Sequence, residues 1–104
     1  MRTLEFEADK QLLRKAPGCE FSNIAPGTSG YLEAHFTFSE EWRGCKMAAS
    51  FWHAGKEHAV MLENGACVIP AEALEGHKFQ VSVSGARPDG YRITSTKTTV
   101  KQEG

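Results

Sequence analysis

Three cysteines, Cys19, Cys45 and Cys67, and four histidines, at 35, 53, 58 and 77, are the residues of this chain best suited to nucleophilic or metal chemistry. Their spacing argues against both. No two of them form a C-x-x-C or H-E-x-x-H pair that would hold zinc locally. Cys45 follows Gly44 near a helical turn, but no flanking signature pairs it with a histidine as an activated nucleophile. An odd cysteine count speaks against a disulfide framework, so three reduced thiols are expected, with Cys67 a small core residue in a strand. Glu40 and Glu41 resemble an acid/base pair, yet adjacent side chains point apart, and two carboxylates at a helix start satisfy the positive end of its dipole. Gly27-Thr28-Ser29-Gly30 lacks the lysine and following helix of a phosphate loop. The expectation is no catalytic residue, no cofactor and no metal.

Aromatic residues carry the remaining chemistry. Trp42, Phe51 and Trp52 could line a sugar platform, but Phe51 and Trp52 alternate on a strand and must face opposite ways. One is core and the other lies on an outer face, where a large ring marks an interaction surface. Tyr31, Trp52 and Tyr91 are therefore the candidate interface residues.

Period-two alternation positions these rings. Leu4 and Phe6 share one face of a strand over residues 2–7. Leu32, Ala34, Phe36 and Phe38 oppose Tyr31, Glu33, His35 and Thr37 over 31–38. Met47, Ala49, Phe51 and His53 oppose Ala48, Ser50 and Trp52 over 46–53. Phe79, Val81 and Val83 oppose Lys78, Gln80, Ser82 and Ser84 over 78–84. Shorter strands are expected at 57–62, 66–69, 91–94 and 97–100, while 9–15 fits either a helical turn or a strand. Ser39 reads as the cap of a turn that Gly44 stops, folding Trp42 back as a plug over the sheet end, against Phe36 or Phe51. Asn64-Gly65 is a two-residue hairpin signal. Pro70 opens a short helix at 71–74. Residues 22–30 read as a mobile loop and 102–104 as a frayed tail. The Thr-rich terminal strands read as an edge in need of cover.

At 104 residues the chain suits a single domain over 1–104, burying about 65% of its unfolded surface. Seven or eight short strands without a long helix point to an all-β fold, an antiparallel β-sandwich or small barrel with one or two helical turns. Twelve Lys and Arg against 13 Asp and Glu, interspersed and summing to −1, give no basic stripe, so no nucleic-acid partner is expected. No apolar run spans a bilayer and the acidic start does not read as a secretory leader, so no membrane partner is expected either.

Several segments in order carry a resemblance. They are Phe36-x-Phe38-Ser39-x-Glu41-Trp42-x-Gly44, Lys46-Met47-Ala48-x-Ser50-Phe51, Val60-x-Leu62-x-x-Gly65-x-Cys67-x-Ile69-Pro70-x-Glu72-x-Leu74, Phe79-x-Val81-x-Val83-x-Gly85 and Arg92-Ile93-Thr94-Ser95. Together, over about residues 30–96, they resemble a small β-sandwich domain of structural proteins from tailed phages and prophages of Gram-positive hosts. That domain occurs at the N-terminus of upper-baseplate-type tail proteins and in head-fibre-like proteins. The chain departs from it at Ala71, where an aromatic usually follows the proline, and in its Gly-rich loop 22–30. The resemblance implies a virion assembly or docking domain whose motif residues Phe36, Phe38, Trp42, Phe51, Pro70 and Phe79 are structural. It implies other virion proteins as partners and assembly in the host cytoplasm, where thiols stay reduced. The small core, the outward ring and the Thr-rich edge point to a homo-oligomer with Trp52 or the terminal strands in the contact, and the resemblance, implying cyclic symmetry, places a trimer ahead of a dimer. The alternative from a different class is a carbohydrate-binding β-sandwich module for host recognition, which needs two or three coplanar exposed rings.

Overall fold

The computed structural model describes residues 1–103 and is built almost wholly of strands. In chain order they are β1 (Arg2–Asp9), β2 (Leu12–Lys15), β3 (Leu32–Phe38), β4 (Lys46–His53), β5 (Lys56–Met61), β6 (Ala66–Val68), β7 (Lys78–Ala86), β8 (Arg92–Thr94) and β9 (Thr98–Lys101). Two 3₁₀ turns, Glu40–Trp42 and Ala71–Leu74, complete the set. The strands form two sheets that pack face to face as a sandwich. One has the order β2-β1-β3-β6; the other runs β5-β4-β7-β8, with β9 also pairing β7.

Alternation fills the space between the sheets. Leu4, Phe6, Leu32, Ala34 and Phe36 come from one sheet, and Ala49, Phe51, Phe79, Val81 and Val83 from the other; all are buried. Phe6 stacks on Phe36 with centroids 5.2 Å apart, and Phe51 lies 6.4 Å from Phe79. Phe51 is the core member of the Phe51–Trp52 pair, and Trp52 is half-buried on the outer side. The ambiguous segment 9–15 is the β1–β2 hairpin, turned at Lys10 with φ +56°.

Five features depart from the expected picture. First, β1 pairs with β3 in parallel, so one ladder of the sandwich is not antiparallel. The crossover through 16–31 is held rather than free. Ile24 is buried, Arg2 donates to the carbonyls of Glu20, Ser22 and Asn23, and Gly27 N–H donates to the Leu74 carbonyl. Second, the Asn64-Gly65 turn forms with both φ angles positive, and Glu63 and Ala66 exchange both bonds across it. Its two strands then part, β5 joining one sheet and β6 the other, so the turn seals one side of the sandwich instead of making a ladder. Third, Ser39 makes no cap bond; its hydroxyl accepts from Lys10 N–H and donates to the Glu41 carboxylate. Fourth, Trp42 is the expected plug, fully buried, with its ring against that of the strand residue Phe38 at 5.2 Å, but it is also tied by a bond not foreseen, its indole N–H donating to the Lys10 carbonyl at 2.8 Å. Fifth, the tail does not fray through Glu103. Gln102 is buried, its N–H donating to the His77 carbonyl and its side-chain amide to that of Leu74, and Glu103 N–H donates to Ile24. Gly104 lies outside the described residues.

The terminal strands, expected as an open edge, are covered. Leu13 N–H donates to Thr96 Oγ1 at 3.2 Å and its carbonyl accepts from Thr98 Oγ1. Thr96 N–H donates to the Gln11 carbonyl, and the Gln11 amide to that of Thr94. These bonds sew β2 of one sheet to the 94–98 run of the other.

Candidate interaction surfaces

Trp52 sits on the outer face of the β5-β4-β7 sheet because its neighbours Phe51 and His53 take the inward parity. Its register partner in β7 is Gln80 and in β5 Glu57. Its indole N–H donates to Ser82 Oγ at 3.0 Å, which explains why an outward serine is buried. Ser50, directly opposite Ser82, donates to the Glu57 carboxylate. Lys97 Nζ stands 3.9 Å from the Trp52 ring centroid, a cation–π contact. Beside it Trp52, His53, Lys78, Gln80 and Lys97 line an open cleft of about 410 Å³. The cleft has an aromatic wall and two ammonium groups, which suits anionic groups. Parity alone showed that one of Phe51 and Trp52 faces outward; Lys97, arriving from the β8–β9 connection, was not legible.

The other two candidate rings lie elsewhere. Tyr31 precedes β3 and is 51% exposed. Tyr91 is tied into the scaffold: its hydroxyl donates to the Glu41 carbonyl at 2.8 Å and its ring carries the Arg87 guanidinium at 3.8 Å. Arg87 also donates to the Arg43 carbonyl, so this pair fastens the β7–β8 turn to the 3₁₀ turn at 40–42. Among the described residues Tyr31, Trp52 and Tyr91 make no ring–ring contact, so the structure does not gather them into a platform.

The expected structural set is inside or against the core. Phe36, Trp42, Phe51 and Phe79 are buried, and Phe38 and Pro70 are half-buried. Pro70 stands one position ahead of its 3₁₀ turn, with φ −59°.

The three thiols are unpaired and separate. Cys19 Sγ accepts from Glu5 N–H at 3.3 Å, standing in for a strand partner where β2 no longer reaches. Cys45 lies against Gly85. Cys67 faces the interior opposite Ala34, where burial, aided by the Glu33 charge, pushes its thiol up to about 11. That leaves it protonated and unreactive near neutrality. Glu41 moves the other way: the Ser39 hydroxyl, its own backbone N–H and Lys10 together hold its carboxyl below the usual range. This pair of carboxylates thus belongs to a turn and not to an acid/base couple.

A second exposed feature was missed in the sequence. Met61 and Val68 are 60% and 45% exposed on the side where β5 and β6 part, flanking Val60, Cys67 and Ala66. Compared with known protein families, with characterised proteins and with solved structures, the chain matches none.

Proposed function

We propose that this chain is a virion structural protein of a phage or prophage, an assembly or docking domain of a tail baseplate or head fibre, working as a homo-oligomer among other virion proteins. The observation that carries the reading is where the motif residues fall. Phe36, Phe38, Trp42 and Phe51, the Asn64-Gly65 turn, Pro70 and Phe79 all serve the scaffold: core rings, the end plug and the turns that close the sandwich. What remains for partners is broad sheet surface. The outer face around Trp52 offers a half-buried aromatic ring, a residue type enriched in protein contacts, with Lys97 lying over it. Three unpaired thiols agree with assembly in a reducing host cytoplasm.

The test is labelling of particles. Gold-conjugated antibody raised against the purified chain is applied to particles released from Gram-positive cells that carry the gene. Label at the tail tip or on head fibres is expected. Label absent from intact particles, with the chain recovered only in the soluble fraction, would overturn the reading.

A further inference from the structure

The net charge of −1 conceals a strong separation between the two outer faces. On the β5-β4-β7 sheet, the outward parity shared with Trp52 belongs to Lys46, Lys78, Arg92 and Lys101, and Lys97 lies over the Trp52 ring. Among the described residues the only carboxylate of that parity on these strands, Glu57, accepts from Ser50. On the opposite sheet the outward parity belongs to Glu5, Glu7, Asp9 and Glu33. One cation, Arg14, serves both Glu7 at 2.9 Å and Asp9 at 3.6 Å, and His35 lies 2.9 Å from Glu33. Among the described residues these are the three contacts of a carboxylate with a basic side chain at ion-pair distance, and all are on the acidic face; none involves a cation of the basic face.

The basic face carries a local cost. Lys78 and Lys101 are register partners. The bond from Gln102 N–H to the His77 carbonyl puts 77/102 and 79/100 in hydrogen-bonded positions, so Lys78 and Lys101 form the intervening pair, where side chains stand closest. Like charges directly opposite are destabilising. Both are exposed, and among the described residues neither makes an ion pair; an anionic surface laid on them relieves the repulsion.

We propose that a second copy of this chain lays its acidic β2-β1-β3 face on the basic β5-β4-β7 face of the first. The inference rests on the assembly role above and names its partner. The contact is head-to-tail, because a two-fold pairing of either face with itself would set lysine on lysine or carboxylate on carboxylate. Head-to-tail contacts generate closed rings or open stacks rather than two-fold dimers. Size permits it: the molecule measures 44 × 29 × 21 Å, and its broad side exceeds the roughly 800 Å² per partner of a standard interface. Ala48 and Ser84, small register partners on the basic face, allow close approach, with Trp52 as the large ring beside them.

The experiment is light scattering at low salt and at about 1 M salt, where the screening length falls to about 3 Å. It uses the wild-type chain and two variants, Lys78→Glu/Lys97→Glu/Lys101→Glu and Glu5→Lys/Glu33→Lys, each checked for a cooperative melt. Expected are a multiple of 11.4 kDa for the wild type at low salt, falling to 11.4 kDa at high salt. Each variant alone stays at 11.4 kDa, and an equimolar mixture of the two reassociates, since the reversed faces again complement each other. A wild type that stays monomeric at low salt, an oligomer indifferent to salt, a variant that alone keeps the wild-type mass, or a mixture that stays monomeric would each overturn the proposal. If a variant does not fold, the salt response of the wild type decides. A monomer whose antibody still labels particles sinks this contact and leaves the virion role; an oligomer absent from particles does the reverse.

Discussion

The two long sides of the sandwich are closed by different means. On one side, β2 and the 94–98 run are joined by side chains, with Thr96, Thr98 and Gln11 filling backbone positions that no strand reaches. On the other, β5 and β6 are joined by the covalent chain through Asn64-Gly65, and their outward backbone is open beside Met61 and Val68. The first side therefore depends on particular hydroxyls and the second on a turn. Substitutions should hurt on the sewn side and be tolerated on the turned one.

The largest effect is expected at Trp42, whose indole N–H fixes the Lys10 carbonyl and so anchors the β1–β2 turn on the sewn side. Trp42→Ala should cost about 3–5 kcal/mol, as for other buried large rings. A chemical melt monitored by circular dichroism checks it, and an unchanged midpoint would mean that the plug does not hold this side. Next, Thr96→Val with Thr98→Val keeps the shape but strands the Leu13 N–H and carbonyl, at about 2 kcal/mol. The same melt reads it, and a loss near zero would show that water replaces the hydroxyls.

Smaller effects belong to the turned side. Cys67 is held protonated to about 11 in the fold against 9.0 for a free thiol. The unfolded chain ionises first, so stability present below pH 9 declines as pH rises from about 9 to about 11 and is then flat. Two pH units correspond to about 2.7 kcal/mol, and for a half-exposed group this is discounted to about 1 kcal/mol. The difference between wild type and Cys67→Ala across that window measures it, and parallel profiles would remove Cys67 from the account. Least affected is Met61→Lys with Val68→Lys: both side chains are exposed, so monomer stability should change by no more than about 0.5 kcal/mol. A larger loss would show that the exposed pair supports the open side.

Much of this was legible because alternation reports burial directly. Leu4 and Phe6, the run Leu32 to Phe38, and Phe79 to Val83 each display the face they bury, and the Trp42 plug follows from a turn stopped at Gly44. Parallel pairing of β1 with β3 was not legible, since period two is the same in either direction. Nor could Asn64-Gly65 announce that its strands enter different sheets. Gln102 looked like a tail because a buried glutamine is uncommon and its partners, His77 and Leu74, lie far back in the chain. Ser39 failed as a cap because Lys10, from another hairpin, claims its hydroxyl. The candidate surface was half legible: parity put one of Phe51 and Trp52 on the outer face, whereas the opposed charges of the two faces emerge only once register aligns Glu5 with His35 and Lys78 with Lys101.

The sewn side also has a kinetic meaning. Thr98 and Leu13 are 85 residues apart in sequence, so their contact closes nearly the whole chain into one loop, a late event wherever non-local pairing limits folding. The β4–β5 hairpin, turned by Ala54-Gly55, is the natural early partner. A clasp that shuts last is also the first to open. Amide hydrogens at Leu13 and Thr96 should then exchange through a local opening, well before those at the centre of β4 and β7, and the two ends of the chain should loosen together as one unit.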